Sequence, residues 1–373
     1  MNDNKTSKNS IVAKFAVPIS FLILFFLAAN FTDCDLVTFW KRRNHLTDLV
    51  VDMIPPDFSY IQKILLPLFY TIQMSVTGTV LGTFFALVLS PFGAANLGFP
   101  AVIRRILRIV IQILRSFPAL ILALTATFLF GLGTFAGTFA ITLYTFAIMT
   151  KLTYEDASAA DVKAYQALRA MGVSKYVAYI HGILPEIIPG FLTNALYLLE
   201  TNVRHSSILG YVGAGGIGLL LNEKISWLEY DKVGTILLML FLTVCVIEYF
   251  SRYLAALIRK ERTIKKEQAR LLLLFLAALF LICTFTLSLP DFSRTSPQTL
   301  RNMFAGFLQP DWSFFFSAEK DGLGYLLLET VCIAFIGTVI GAIVSAPLAF
   351  LNTKRFVPCL LYTSPSPRDM RRS

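Results

Sequence analysis

The sequence predicts an all-α protein that crosses a membrane about eight times. Hydrophobic residues make up 56% of its 373 residues and charged residues only 15%, whereas a soluble domain has about 25% charged residues. The mean hydropathy is +0.67. Apolar runs of about 20 residues, the length of helix that spans a bilayer, recur along the chain, and two of them repeat each other.

The apolar runs place the predicted spanning helices. They lie at 12–30, 64–90, 117–133, 136–153, 185–204, 233–257, 271–289 and 324–350. The first run is too long for the apolar part of a signal peptide and has no small-residue cleavage site. We therefore expect a retained membrane helix there.

The distribution of lysine and arginine predicts the orientation. With the N-terminus inside, the cytoplasmic segments are 91–116, 151–184, 258–270 and 351 onward. These segments carry short basic clusters, whereas the outer segments mix basic and acidic residues, as the positive-inside rule requires. Within the first basic segment, Ala101 to Leu114 sets arginines among apolar residues at helical spacing, which favours a helix along the membrane surface.

The repeated stretches indicate a duplication. Residues 71–89 read TIQMSVTGTVLGTFFALVL and residues 330–348 read TVCIAFIGTVIGAIVSAPL. Gly78 and Gly82 thereby align with Gly337 and Gly341. A spacing of roughly 250 residues is too long for a solenoid repeat. It fits a membrane domain present twice, with the second copy cut short, and parallel repeats are common in transporters.

Several other classes of function are disfavoured. The formal net charge of +10 raises the possibility of nucleic-acid binding, but the basic residues sit in loops between apolar runs. The five cysteines and three histidines show no metal-ligand spacing. A phosphate-binding GxxxxGK[ST] loop is absent. Residues 213–218 spell GxGxxG, yet no strand–helix pattern surrounds them. We interpret Gly213, Gly215, Gly216 and Gly218 as a helix break with close backbone packing.

The segment 160–190 carries the most specific pattern. Small residues predict a thin helix, and they are Ala159, Ala160, Ala164, Ala167 and Ala170. Gly172 is suited to end that helix in a left-handed conformation, and Leu184-Pro185 begins the next hydrophobic helix. From the residues alone, an ordinary cytoplasmic loop containing a helix fits equally well.

This segment resembles the coupling loop of ATP-binding-cassette (ABC) importer permeases. Their pattern is Glu-Ala-Ala, three residues, Gly, nine residues, Ile, one residue and Leu-Pro. Gly172 and Leu184-Pro185 match at the family's interval. The triplet falls on Gln166-Ala167-Leu168 and the Ile on Gly182, so the chain departs from the pattern at the first and third positions of the triplet and at the Ile. The acid that would pair with the ATPase is therefore absent. The resemblance implies a helix–turn–helix that docks on an ATPase subunit.

The following stretch is similar to the phosphonate-transport branch of these permeases. Asn202-Val203-Arg204 and Val212 to Gly218 match its pattern in order. The resemblance implies a type I importer fold and a permease without catalytic residues. ATP and Mg²⁺ would be used by a partner ATPase, and a periplasmic or lipid-anchored binding protein would deliver a phosphonate or related phosphorus oxyanion. Alternatives are an importer permease for another small solute, such as methionine or a metal chelate, and an ion-coupled secondary transporter.

Charged residues within spans mark the candidate substrate path, because lipid penalises them. Arg204, with Asn202, His205 and Ser206, would face the path and meet the anionic substrate, since arginine suits bidentate recognition of oxyanions. Glu200 lies one helical turn from Arg204, so a purely structural pair is the alternative. We expect Glu248 to pair with Arg252 or with a neighbouring subunit.

These observations predict three regions and a tail. Residues 1–60 form an N-terminal helix and outer loop, 61–260 the permease domain with its coupling loop at 155–184, and 271–357 an incomplete second copy. Residues 359–373 resemble a translated library adapter and are predicted to be non-native. The intact protein would then be a tandem permease in an inner membrane, with its second half supplied by the same chain. A homodimer is the alternative.

Overall fold

The computed structural model describes residues 20–33, 36–260, 266–288, 301–302, 305–306, 309, 312–316 and 322–352. This described part is almost entirely helical and contains no strand. Two compact units divide the chain. One unit comprises residues Thr47–Phe304, and the other comprises Met1–Leu46 with Ala305–Ser373. The predicted tail at 359–373 lies outside the described residues.

The helices of the described part follow in chain order. The first seven are α1 (Ser20–Phe31), α2 (Leu36–Lys41), α3 (Arg43–Asp52), α4 (Ile61–Gly93), α5 (Ala101–Ser116), α6 (Ala119–Phe130) and α7 (Thr134–Ala159). The others are α8 (Lys163–Ala170), α9 (Lys175–Gly182), α10 (Leu184–Leu209), α11 (Ile217–Ser226), α12 (Tyr230–Ile258), α13 (Lys266–Phe285), α14 (Trp312–Phe315) and α15 (Leu323–Asn352).

Five helices are individually long and apolar enough to cross a membrane, namely α4, α7, α12, α13 and α15. Two bent pairs, α5 with α6 and α9 with α10, bring the possible total to seven in the described residues. The short apolar helix α1 covers the described part of the predicted span at 12–30. A helix thus covers each of the eight predicted segments in the described residues, but α1 is too short to count as a span and residues 12–19 lie outside the described part.

The predicted span at 117–133 is shorter in the structure. Helix α6 has only 12 residues, fewer than the about 20 that cross a bilayer, and α5 precedes it at an angle of 94°. The chain bends because proline disfavours helical backbone in the residue before it, here Phe117 before Pro118. The surface position expected for 101–114 agrees with α5, whose only buried residue is Ile111.

The helix expected from Ala159 to Ala170 is also interrupted. Ala159 ends α7, and α8 begins only at Lys163. Between them the Asp161 carboxylate accepts a hydrogen bond from the backbone N–H of Lys163 at 3.0 Å. Aspartate competes in this way with the helical hydrogen-bond ladder, which explains the break.

Close packing of α4 against α7 forms the centre of the permease unit. A Cβ atom on Gly78 would lie 2.7 Å from Cγ2 of Ile141, and one on Gly82 would lie 2.7 Å from the carbonyl oxygen of Thr142. Glycines thus let the two backbones approach, as is common between membrane helices. Helix α10 packs along both and carries the candidate site residues.

Candidate functional site

The loop between α7 and α10 is a helix–turn–helix with a defined turn. Gly172 has φ +86°, a left-handed conformation that costs a residue with a Cβ about 1–2 kcal/mol. The N–H of Gly172 donates to the carbonyl of Arg169 at 3.0 Å, and the N–H of Val173 donates to that of Leu168 at 3.2 Å. This pair of bonds is a Schellman motif, so Gly172 ends α8.

The two helices of the loop touch through a second glycine. A Cβ on Gly182 would lie 2.8 Å from the backbone nitrogen of Tyr165, so a larger side chain would separate α8 from α9. Gly182 occupies the position where the importer pattern has Ile. In this chain, the glycine that replaces the Ile of the pattern lies where α8 and α9 are in close contact.

The loop is attached to the segment between α4 and α5 and to the end of α7. The buried Tyr165 hydroxyl donates to the carbonyl of Leu97 at 2.6 Å, and burial raises the pKa of this phenol. The Lys175 ammonium donates to the carbonyl of Gly98. A buried apolar cluster that includes Leu97, Tyr165 and Ile183 continues the attachment. A force on the loop would thus reach the membrane helices directly.

The exposed residues of the importer pattern in this loop are uncharged. Gln166, Ala167 and Gly172 are exposed, whereas Leu168 is half-buried and packs on the apolar cluster. Met171 has 71% of its surface exposed at the end of α8. A thin helix with a protruding apolar tip is suited to enter a groove on another protein.

Leu184-Pro185 forms the corner between the loop and the membrane. Pro185 lies in the first turn of α10, where its missing N–H costs nothing. The α9–α10 pair bends there by 70°.

Two of the four predicted path residues lie inside the helix bundle. The side-chain amide of Asn202 donates to the hydroxyls of Thr79 and Thr145, both at 2.8 Å. The Ser206 hydroxyl lies 2.6 Å from that of Ser75. Asn202 and Ser206 have no exposed surface. In this protomer they join α10 to α4 and α7.

The other two lie elsewhere on α10. The Arg204 guanidinium pairs with the Glu200 carboxylate one turn away, and the arginine side chain remains 50% exposed. His205 packs edge-on against Tyr144, with ring centroids 5.3 Å apart. The structure therefore does not bring the four predicted residues together on one surface.

A cleft runs beside Glu200, between α10 and α12. Its volume is about 330 Å³, and its lining includes Ser251 and Arg252 of α12 and Arg259 just after that helix. Ser251 is 4% exposed, and its hydroxyl has no hydrogen-bond partner. The predicted pair of Glu248 with Arg252 is present. Two Glu–Arg pairs thus lie on adjacent membrane helices.

The glycine segment after α10 is a helix break. Gly213, Gly215 and Gly216 have φ values of +83°, +80° and +73°, which residues with a Cβ rarely adopt. Gly218 lies in the first turn of α11. The Thr71 hydroxyl accepts a hydrogen bond from the N–H of Ile217 at 2.8 Å, which satisfies a free donor at the start of α11.

The sequence analysis did not identify the hydroxyl groups of α4 that form hydrogen bonds with Asn202, Ser206 and Ile217. Thr71, Ser75, Thr79 and Thr83 recur at every fourth position of α4, and all four are buried. Polar residues at helical spacing within an apolar span were the available signal.

The sequence analysis also did not identify a cluster of charged residues between α11 and α12. The Lys224 side chain is only 7% exposed and pairs with Glu229 at 2.9 Å and Glu223 at 3.1 Å. These carboxylates raise the pKa of Lys224, Glu229 most strongly. Lys232 and then Lys224 lower the pKa of Glu229.

Comparison with known proteins places this geometry in a family. Residues 78–262 match the family model described as "Binding-protein-dependent transport system inner membrane component". The phosphite transport system permease protein PtxC of Stutzerimonas stutzeri is 31% identical over 217 residues, which are 58% of this chain and 79% of that protein. The phosphate-import permease protein PhnE of Mycolicibacterium smegmatis is 31% identical over 203 residues, which are 54% of this chain and 38% of that protein.

A solved structure of the MetNI methionine ABC transporter is also similar. It has 21% identity and a TM-score of 0.49, over 54% of this chain and 99% of that chain. The family match begins within α4 and runs through α12, so it includes the loop formed by α8 and α9 and the glycine break. The chain therefore belongs to the binding-protein-dependent transport system inner membrane components, the multi-pass permease subunits of ABC importers.

Proposed function

We propose that this chain moves a phosphorus oxyanion, such as phosphite or a phosphonate, across the inner membrane. The observation that carries this proposal is the similarity to a phosphite permease over 79% of that protein's length. As a permease subunit, the chain works with a partner ATPase and a substrate-binding protein. It provides the translocation path, and ATP and Mg²⁺ are bound by the partner.

The α8–α9 loop is the proposed docking site for the ATPase. Gln166, Ala167 and Met171 present the exposed surface, and the bonds from Tyr165 and Lys175 to the segment that follows α4 transmit its motion. This assignment puts the loop in the cytoplasm. By the charge distribution, the N-terminus lies on the same side, and the binding protein docks on the opposite face.

Arg204 is the proposed contact for the substrate. An arginine that is half exposed within a membrane span is costly against lipid, so its surroundings should be water or protein. Its pairing with Glu200 reduces its net attraction for anions and would hold the substrate weakly enough for release. Asn202 and Ser206 position α10 instead of touching the substrate, and His205 lies against Tyr144.

We further propose that the protein has a two-half organisation, in which two copies of the permease domain lie on one chain. Helix α15 repeats the glycine face of α4, yet in the described part of the chain no atom lies within 4 Å of a Cβ placed on Gly337 or Gly341. Gly78 and Gly82 on α4 are in tight contact with α7. The free face of α15 therefore fits a second counterpart of α7. The Mycolicibacterium smegmatis relative offers a parallel: 203 residues are 38% of it, so it has roughly 530 residues, room for two such domains.

Reconstitution tests the transport proposal. The permease, the ATPase and the binding protein encoded beside it would be placed in proteoliposomes, and uptake of radiolabelled phosphite, methylphosphonate, phosphate and methionine would be measured. We expect ATP-dependent uptake of a phosphorus oxyanion. Uptake of methionine alone would contradict the substrate assignment, and uptake driven by an ion gradient without ATP would identify a secondary transporter.

Sequencing the native locus tests the two-half proposal. A reading frame that continues past Pro358 into a second Gly–Leu-Pro loop is expected. A frame that stops at Ser373 would contradict it and favour a homodimer.

A further inference from the structure

We propose that the cleft between α10 and α12 binds a phosphorus oxyanion group, carried either by a free ion or by the headgroup of a phospholipid. The cleft lies beside Glu200, and its lining includes Ser251, Arg252 and Arg259. The proposed substrate contact at Arg204 is not part of that lining. A free ion as the occupant rests on the proposed transport of phosphorus oxyanions, whereas a lipid headgroup does not.

The Ser251 hydroxyl is a buried donor without an acceptor. Ser251 is 4% exposed, and its hydroxyl has no hydrogen-bond partner in the described residues. A hydroxyl in a helix commonly donates to the carbonyl four residues back, as Thr193 on the opposite wall of the cleft does to Pro189 at 2.8 Å. A buried polar group left unpaired is costly and requires an explanation. In the wall of a cleft that carries arginines, an oxygen of a bound anion explains it.

The two arginines of the cleft supply further donors. A guanidinium has five N–H donors, and Arg252 directs Nη2 to the Glu248 carboxylate. Arg259 is exposed and forms no ion pair within the described residues. Arginine binds phosphorus oxyanions through two parallel hydrogen bonds, so these side chains fit such a ligand.

The charges around the cleft leave one cation in excess. Glu200 pairs with Arg204, and Glu248 pairs with Arg252. Arg259 is then the cation left without a carboxylate in the described part of the chain. Because Glu200 is neutralised by its own partner, it does not prevent an anion from entering. A single excess charge suits a singly charged group, such as a phosphodiester or the monoanion of phosphite.

The size and depth of the cleft also fit. Its volume is about 330 Å³, and ligand pockets typically enclose about 300–1,000 Å³. Ser251 lies seven positions before Ile258, the last residue of α12, which is about 10 Å along the helix. In the orientation proposed above, this depth is near the cytoplasmic headgroups. Basic pockets between membrane helices on that side bind anionic lipids.

The cleft and Arg204 share one face of α10. Thr193, Tyr197 and Glu200 line the cleft, and with Arg204 they are spaced by four, three and four positions, as on one side of a helix. An imported ion that leaves Arg204 toward the cytoplasm would therefore meet the cleft next. The cleft is then a second position on the path if the ion occupies it, and an anchor to the inner leaflet if a lipid does.

Binding to the purified full-length chain, without the ATPase or the binding protein, tests the site. Radiolabelled phosphite is the probe for a free ion, and its binding is measured by equilibrium dialysis in a detergent that contains no phosphate. Radiolabelled methionine is its control. Phosphatidylglycerol is the probe for a headgroup, and native mass spectrometry measures its retention. Diacylglycerol, which has the same acyl chains without the phosphate, is its control.

Ser251→Ala and Arg259→Gln are the test variants, because neither removes a hydrogen bond or an ion pair within the described residues. Arg252 is left unchanged, since its loss would leave Glu248 unpaired. Lys260→Gln is the matched control, because it removes a neighbouring positive charge that does not line the cleft. We expect affinity to fall about tenfold in Arg259→Gln and about fivefold in Ser251→Ala, with Lys260→Gln close to the parent.

Thermal unfolding separates ligand contact from a structural role. The Ser251 hydroxyl has no partner to lose within the described residues, so Ser251→Ala should weaken binding without lowering the melting temperature of the ligand-free protein. A lower melting temperature would assign the serine to packing and overturn its role in the site.

Two results support the site, and each identifies its occupant. Phosphite binding that both test variants weaken identifies a free ion, and phosphatidylglycerol retention that both weaken identifies a headgroup. The site is overturned if neither probe binds the parent beyond its control, or if either test variant binds as tightly as the parent. An equal loss in Lys260→Gln would also overturn it, because any surface charge would then serve.

Uptake in proteoliposomes is scored separately. A chain that retains lipid in the cleft but imports no phosphorus oxyanion would contradict the proposed function alone. Normal uptake together with unchanged binding in both test variants would contradict the site alone.

Discussion

The side-chain amide of Asn202 on α10 donates a hydrogen bond to the hydroxyl of Thr79 on α4, at 2.8 Å. Its second N–H reaches Thr145 on α7 at the same distance. One side chain therefore joins the three helices around which the permease unit is built. Asn202 belongs to the Asn-Val-Arg motif, so part of that motif serves packing.

Asn202→Leu should destabilise the protein. Two buried hydroxyls lose a donor, and a buried polar group left unsatisfied costs about 1–3 kcal/mol. Thermal unfolding of the detergent-solubilised protein measures the loss. Thr201→Val is the matched control, because the Thr201 hydroxyl only bonds to the carbonyl of Tyr197 in its own helix. Equal melting temperatures for the two variants would contradict a joining role for Asn202.

Arg204→Ala should reduce oxyanion uptake at least tenfold, on the order of 1.4 kcal/mol, while membrane insertion stays normal. Arg204→Lys should recover only part of the uptake, because an ammonium cannot bind an oxyanion through two parallel hydrogen bonds. Initial rates in proteoliposomes provide the measurement.

The double variant Glu200→Gln with Arg204→Gln tests whether Arg204 binds the substrate or only forms a structural ion pair with Glu200. If the pair only neutralises charge within the membrane, removing both charges restores uptake. We expect uptake to remain lost.

Gly172→Val should uncouple ATP hydrolysis from uptake. Valine disfavours φ +86°, so the Schellman turn would open and α8 would no longer end where it does. The ratio of phosphate released to substrate imported should rise severalfold. Gly190→Val is the control, since a Cβ at Gly190 meets nothing within 4 Å and its φ is not positive. An unchanged ratio in the Gly172 variant would remove this turn from the coupling step.

Gly78→Val should impair folding, and Gly337→Val should be tolerated in this chain. The first side chain would collide with Ile141, which a hypothetical Cβ already approaches to 2.7 Å, whereas the second meets open space. Overpacking of this kind typically costs about 1–3 kcal/mol. The yield of monodisperse protein after solubilisation compares them. In a complete two-half protein, Gly337→Val should become as harmful as Gly78→Val, and tolerance there would argue against a second α7 on this face.

Lys224→Met should destabilise the protein most near neutral pH. The lowered pKa of Glu229 contributes stability that is present above its ordinary value of 4.5 and is lost as pH falls through the lowered value. The raised pKa of Lys224 contributes stability that is present below its ordinary value of 10.5. Melting temperatures of variant and parent should therefore converge at acid pH. Lys163→Met is the control, because Lys163 is 88% exposed. A difference that does not vary with pH would exclude this charge pairing.

The α8–α9 loop shows which features could be predicted from the sequence and which could not. The spacing of Gly172 and Leu184-Pro185 located the turn and the start of α10, because a left-handed residue and a first-turn proline are local requirements. The continuous helix through Ala159 was wrong, since the bond from the Asp161 carboxylate outweighed the helical propensity of alanine. The contact of Gly182 with Tyr165 joins residues on two helices and had no local signal.

The sequence by itself determined the helical membrane class, the order of the apolar segments, the glycine break and the repeat. These follow from properties of consecutive residues: apolar length, backbone freedom and spacing. The tertiary structure alone decided that Asn202 and Ser206 turn inward while Arg204 stays at the surface, and that α13 lies on α4. Helical rotation and partner choice depend on side chains far apart in the chain, so no stretch of sequence specifies them by itself.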